Sequence, residues 1–122
     1  MNKPILSLQE ATIFQKDHMV LDKVNFDLVA GGFTYLIGKT GSGKSSLLKT
    51  IYVDLSLQEG EGQVAGFNLR ELKEKDIPFL RRGIGVVFQD FQLLSDRSVH
   101  DNLLFVLKAT AWKDSIKIDA RI

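Results

Sequence analysis

Apolar positions fall in short groups along the 122-residue chain, and their spacing predicts strands first and helices later. Ile5 to Leu8 and Ala11 to Phe14 read as short extended pieces. Val24, Phe26 and Leu28 alternate with Asn25, Asp27 and Val29, the period of two expected of a strand buried on one face. Ala30-Gly31-Gly32 marks a turn, and Phe33 to Ile37 is an apolar, β-branched and aromatic run. A run of that kind suits a strand buried on both faces, as in a parallel sheet. Leu47, Leu48, Ile51 and Leu55 then recur at helical spacing, which predicts a helix from near Lys44 to near Asp54. Gln63 to Phe67, in a glycine-rich stretch, reads as a hairpin or short edge strands. Leu69 to Arg82 is charged and holds one short helix with Pro78 near its start, where a missing amide hydrogen costs nothing. Ile84 to Phe88 is a second buried-strand candidate. Ser98-Val99-His100-Asp101 matches a capping box, and Val99, Leu103, Val106 and Leu107 continue it as an amphipathic helix. No internal repeat, low-complexity segment or linker interrupts the pattern.

Composition narrows the classes. Hydrophobic residues make up 44% and charged residues 25%, the mixture of one globular domain rather than a disordered chain. Sixteen basic and fifteen acidic residues leave a net charge of +1 with no block of one sign. That balance gives no argument for nucleic acid or for an anionic membrane. The absence of cysteine removes disulfides, thiolate metal sites and a cysteine nucleophile. The N-terminus lacks the long apolar stretch of a signal peptide. Apolar runs such as Leu103 to Leu107 fall far short of the roughly 20 residues a membrane helix needs. Work at a membrane would therefore need another component as anchor.

The chemistry concentrates in one place. Gly38-Lys39-Thr40-Gly41-Ser42-Gly43-Lys44-Ser45 satisfies the pattern G-x-x-x-x-G-K-[ST] at every fixed position, with Ser46 next. The glycines permit backbone angles that a Cβ forbids, so successive N–H groups can turn inward onto phosphate oxygens. A helix opening at Lys44 adds unpaired amides and the positive end of its dipole. Lys44 can reach the β- and γ-phosphates, and the Ser45 hydroxyl can ligate Mg²⁺. A chance glycine turn before a helix is the alternative, and the strand-then-helix setting weighs against it.

Two segments together point to a family. Gly41 to Leu48, and Val86-Val87-Phe88-Gln89-Asp90-Phe91-Gln92-Leu93-Leu94, resemble in order and spacing the nucleotide-binding domain of ABC transporters. Val20 to Phe26, ahead of the loop, fits the same layout. Within the family, the stretch from Phe88 through Leu103 is most similar to the FtsE branch that serves cell division, ahead of the LolD-type lipoprotein exporters and the MacB class. The resemblance implies an α/β fold: a P-loop NTPase core with an N-terminal antiparallel β subdomain, incomplete at its C-terminal side. It divides one domain into a β subdomain and P-loop core over about residues 1–95 and the start of a helical subdomain over 96–122. It implies ATP and Mg²⁺ as ligands, with Gly38 to Ser46 on the phosphates and Lys44 and Gln89 as catalytic groups. Ser45 and Gln89 would meet the metal, and Phe14 would stack on adenine, although tyrosine is more usual there and a plain core Phe is the alternative. Phe91 to His100 resembles the groove for a transmembrane subunit, of the FtsX type in the FtsE branch, or an ordinary packed loop. A head-to-tail homodimer at the inner face of the membrane completes the implied assembly.

Other features carry less. His18 and His100 read as surface residues, Arg81-Arg82 as a solvated face, and Trp112 as a packing residue. Gly31-Gly32 departs from the family's usual Gly-Glu without bearing on function. No apolar strand runs into Asp-Glu, and no Leu-Ser-Gly-Gly-Gln or late switch histidine occurs in these residues. The expectation is therefore the N-terminal half of an ATPase, which binds ATP without useful turnover. A small P-loop kinase, with Arg81, Arg82 and Arg97 as candidate lid residues, and a vestigial nucleotide-binding fragment stay open beside it.

Overall fold

The computed structural model describes residues 3–90 and 92–122. These separate into two units, one ending at Gly85 and one from Val86 to Ile122.

The first unit is built on an antiparallel sheet of β1 (Pro4–Gln15), β2 (His18–Val29), β3 (Glu59–Val64) and β4 (Phe67–Asn68). Their order is β2-β1-β3-β4, which gives β1 a partner on each side. Its side chains accordingly make the core: Leu6, Leu8, Ala11 and Ile13 are buried. The apolar phase of β1 slips by one residue between Leu8 and Ala11, where both of its ladders shift register and Glu10 takes a φ of 50°. A regular strand would turn Ala11 and Ile13 to the opposite face. The bulge returns them to the core, so the two extended pieces expected from the sequence are one interrupted strand. Asn25 in β2 accepts the Glu10 amide at 3.0 Å, where the bulge displaces it. Along β2, Val24, Phe26 and Leu28 are half-buried against the core while Asn25, Asp27 and Val29 are exposed, as their alternation predicts. Ala65 and Gly66, with φ of 50° and 86°, make the two-residue turn into β4, of the left-handed kind that matches strand twist.

Helix α1 (Lys44–Ile51) lays Leu47 into the β1 core cluster. It ends three residues before the predicted Asp54, because its last carbonyls are taken up by a turn. Asp54 N bonds Lys49 O at 2.7 Å and Val53 N bonds Thr50 O at 3.3 Å, with Val53 at a φ of 67°. This is a Schellman closure with valine where glycine is usual. The charged stretch that follows forms a short 3-10 turn, Glu74–Asp76, and α2 (Ile77–Arg82), with Pro78 in its first turn as predicted. Leu80 of α2 is fully buried.

The second unit carries α3 (Val99–Ala109) and α4 (Ser115–Arg121). Ser98 Oγ accepts the Asp101 amide at 3.1 Å, the N-cap that the sequence announced. Asp114 caps α4 by accepting from Ile116 N and Lys117 N. The amphipathic stripe of α3 is present, yet none of its residues is buried and Val99 is 79% exposed.

Two expectations fail. Phe33 to Ile37 and Ile84 to Phe88 are not strands. Phe33 is 79%, Ile37 89% and Val87 97% exposed. A strand buried on both faces needs a hydrogen-bonded neighbour at each edge, and among the described residues every ladder belongs to the antiparallel sheet. Apolar content alone did not supply those neighbours.

Core truncation has a defined cost in this sheet. Leu8→Ala, at a site 1% exposed on the central strand, is expected to lower unfolding free energy by about 3 kcal/mol, through lost burial and an unfilled cavity. Urea denaturation followed by far-UV circular dichroism measures it.

Candidate phosphate-binding site

The loop from Gly38 to Gly43 runs directly into α1, and its glycines are used. Gly41 and Gly43 have φ of 83° and 99°, a region costly to residues with a Cβ. Gly43 is also the N-cap of α1 and provides no side-chain cap, and the first turn holds no acidic residue. The opening amides, from Lys44 to Ser46, thus begin a helix without any side chain of the chain's own competing for them. That is the donor set an anion satisfies. The space is tight as well. A Cβ at Gly43 would lie 2.9 Å from Val20 Cγ1 and Leu21 Cγ of β2, and one at Gly38 would lie 2.6 Å from Ser42 Oγ.

Lys44 turns its ammonium back over this loop. Its Nζ donates to the carbonyls of Gly38 and of Lys39, the latter at 2.8 Å, and approaches Ser42 Oγ at 3.5 Å. Ser42 N closes the loop on Lys39 O at 3.0 Å. A single cation is therefore gathered by the same short segment whose amides open the helix. Ser45 is exposed, whereas Ser46 is buried and its carbonyl accepts the Thr50 hydroxyl at 2.9 Å. Of the two serines, Ser45 has its hydroxyl at the surface. Among the described residues no group of three or more His, Cys, Asp or Glu side chains could hold a metal. Mg²⁺ suits such a place, since it is commonly held by one or two protein oxygens together with phosphates and water.

The remaining expected residues are spread over the fold. Phe14, half-buried near the end of β1 opposite Met19, belongs to the same unit as the loop. Gln89 is exposed in a turn of the second unit, beside Asp90, whose carboxylate accepts from Gln92 Nε2 at 2.7 Å. Phe91 lies outside the described residues. The rest of the segment up to His100 is fastened by Asn102: its Oδ1 accepts Leu94 N at 2.9 Å, and its Nδ2 donates to the carbonyls of Leu94, Arg97 and Ser98. His18 is exposed, and His100 Nδ1 stands 3.5 Å from Asp101.

Sequence reasoning did not single out Asn102, and it took Arg81 with Arg82 for a solvated face or, in a kinase, lid residues. Both arginines of the pair are exposed, but Arg81 is more than a solvated charge. Its Nε donates to Tyr52 O at 3.0 Å and its Nη2 to Val53 O at 3.3 Å, the carbonyls just past the end of α1. Arg82 lies over the Phe79 ring at 5.2 Å. No local pattern announces a contact across 28 or 29 positions.

Known proteins share this arrangement. The ABC transporter family model matches residues 21–122. The cell division ATP-binding protein FtsE of Streptococcus pneumoniae is 40% identical over 85 residues, covering 70% of this chain and 37% of that protein. FtsE of Haemophilus influenzae is 44% identical over 87 residues, covering 71% and 40%. The methionine import ATP-binding protein MetN of Helicobacter pylori is 36% identical over 110 residues, covering 90% and 33%. Among solved structures, the dimeric bacterial ABC transporter cassette MJ0796 superposes with a TM-score of 0.83 at 26% identity, over 95% of this chain and 53% of that one. The cbiO1 subunit of Clostridium perfringens, part of the ABC transporter complex cbiONQ, gives 0.83 at 27%, over 99% and 48%. The chain thus spans about two fifths of the length of the FtsE proteins it matches. A glycine loop opening a helix beside an antiparallel sheet, with the family model matched over residues 21–122 and the fold matched by solved cassettes, makes this chain a member of the ABC transporter family.

Proposed function

We propose that the segment from Gly38 to Ser46 binds the phosphates of Mg²⁺-ATP, within an ATP-binding subunit of the FtsE type. The carrying observation is the uncapped start of α1 at Gly43 together with the Lys44 ammonium gathered over the same loop. Gly38, Lys39, Thr40, Gly41, Ser42 and Gly43 contribute backbone. Lys44, Ser45 and Ser46 contribute the first helical amides, and Lys44 also contributes charge. Ser45 would supply the metal's protein oxygen, and Gln89 is a catalytic group on the resemblance to the family. Phe14 is the adenine platform. Mg²⁺, if bound, would be held by the Ser45 hydroxyl together with the phosphates and would offset their charge.

The FtsE reading draws support from several FtsE proteins at 38 to 44% identity, against 36% for MetN. In this reading the whole protein is an ATPase that dimerises head to tail; that the solved cassette is dimeric supports the dimer itself. Residues up to about 95 serve the nucleotide, and residues 96–122 belong to the helical subdomain. The segment Phe91 to His100 docks a transmembrane subunit of the FtsX type. Among the described residues no helix is long and apolar enough to cross a membrane, so that subunit supplies attachment at the cytoplasmic face. The near-balanced charge, +1 net, gives no argument for nucleic acid.

Titration calorimetry with a non-hydrolysable ATP analogue tests the site. Binding should strengthen with Mg²⁺, and Ser45→Ala should remove most of that enhancement, about fivefold to tenfold in Kd, while leaving metal-free binding nearly unchanged. A phosphate-release assay on the same chain should show no turnover, because its residues include no Asp-Glu after an apolar strand. Phosphate transfer to a small acceptor would instead favour a kinase, and no binding would leave a vestigial loop.

A further inference from the structure

We infer that Arg81 is a positioning residue for the phosphate-binding helix, acting through the left-handed Val53 at its far end; this rests on the reading of the loop given above. Helix α1 has eight residues, about two turns, a length at which a helix is marginal without outside contacts. Its N-terminal turn must stay intact for its amides to converge on an anion. Its C-terminal closure, however, depends on Val53 holding a φ of 67°, a conformation that a β-branched residue rarely adopts. Thr50 O and Lys49 O accept the turn's own amides. Beyond Ile51, the carbonyls of Tyr52 and Val53 accept from the Arg81 guanidinium. Arg81 is thereby bonded to the strained peptide itself, and its charge sits at the negative end of the helix. Leu80, its neighbour in α2, is fully buried, so the guanidinium is delivered from an anchored helix rather than from a loose loop. Releasing it lets Val53 leave the left-handed region, and the last turn of a two-turn helix unwinds toward Leu48.

The test is a cycle of variants with the Kd for the non-hydrolysable ATP analogue as readout, alongside urea midpoints. Arg81→Ala should weaken binding about fivefold. Arg81→Lys should behave similarly, since one ammonium does not reproduce a planar fork reaching two carbonyls; it also serves if the alanine variant does not fold. In a Val53→Gly background, where the left-handed turn needs no help, Arg81→Ala should change Kd less than about twofold. A lower urea midpoint with an unchanged Kd would reduce Arg81 to a purely structural contact and overturn the inference. So would an equal loss of affinity in both backgrounds. If the unaltered chain binds no analogue, the phosphate reading and the inference fall together; if it binds and only Arg81 proves silent, the phosphate reading stands alone.

Discussion

Lys44→Ala is expected to weaken binding of a non-hydrolysable ATP analogue about a hundredfold, equivalent to about 2.7 kcal/mol. The ammonium is already held within the loop by the carbonyls of Gly38 and Lys39. Reaching a triphosphate exchanges those neutral acceptors for charged oxygens, and charge-assisted hydrogen bonds are roughly twice as strong as neutral ones. The side chain need only swing from one rim of its own loop, so little rotational freedom is lost on binding. Folding should survive the change, because Lys44 is not part of the buried core. Lys39→Ala makes the comparison: it keeps the backbone carbonyl that closes the loop and removes a charge whose side chain makes no hydrogen bond or ion pair among the described residues. It should alter Kd by less than about threefold. Equal affinities for Lys44→Ala and the unaltered chain would refute a phosphate cradle at this position.

The glycine loop ahead of α1 was the most legible feature of the sequence because its conformational requirements are local. Positive φ at Gly41 and Gly43, a cation at Lys44 and a helix beginning at that residue are all consequences of consecutive residues. The same holds for the Ser98 cap and for Pro78 in the first turn of α2. The alternation of Val24, Phe26 and Leu28 translated directly into half-buried positions on β2. What the sequence hid were relations between distant segments. Phe33 to Ile37 and Ile84 to Phe88 have the composition of buried strands, but a strand exists only by pairing, and composition does not name a partner. The bulge at Glu10 was invisible as a bulge; in the sequence it shows only as two apolar runs whose phases disagree. Arg81 read as a solvated charge because its acceptors, Tyr52 and Val53, stand 29 and 28 positions earlier.

The candidate site divides along the same line. Residues from Gly38 to Ser46 form one continuous piece, and their arrangement could be anticipated from the motif. Phe14 shares their unit but was linked to them only through the resemblance to ABC proteins, and Gln89 stands in the other unit. Neither has a local physical signature as strong as a glycine with a φ of 99°. The Asn102 side chain, which fastens Leu94, Arg97 and Ser98, was written in the sequence only as one more polar residue of a helix.

The bulge on β1 leads to the largest expected loss of stability. Gly60→Ala should cost about 4 kcal/mol, a size reached only when a definite mechanism such as backbone collision is at work. Gly60, the second residue of β3, has a φ of 87° and lies directly against the residues where β1 slips register. A Cβ there would lie 2.2 Å from Glu10 O, 2.5 Å from Glu10 C and 2.7 Å from Ala11 Cα. All three are backbone atoms, so no side-chain rotation relieves the contact. The strands would have to separate at the bulge, and it is the bulge that turns Ala11 and Ile13 into the core. Gly31→Ala separates collision from conformational strain, since Gly31 has a φ of 77° but nothing within 4 Å of its would-be Cβ. That variant should lose only the left-handed penalty, about 1 kcal/mol. Urea midpoints of the two variants measure the difference directly. Similar losses would mean that β1 and β3 can part at Glu10 without disturbing the core, and that the close approach of Gly60 is incidental to holding the sheet together.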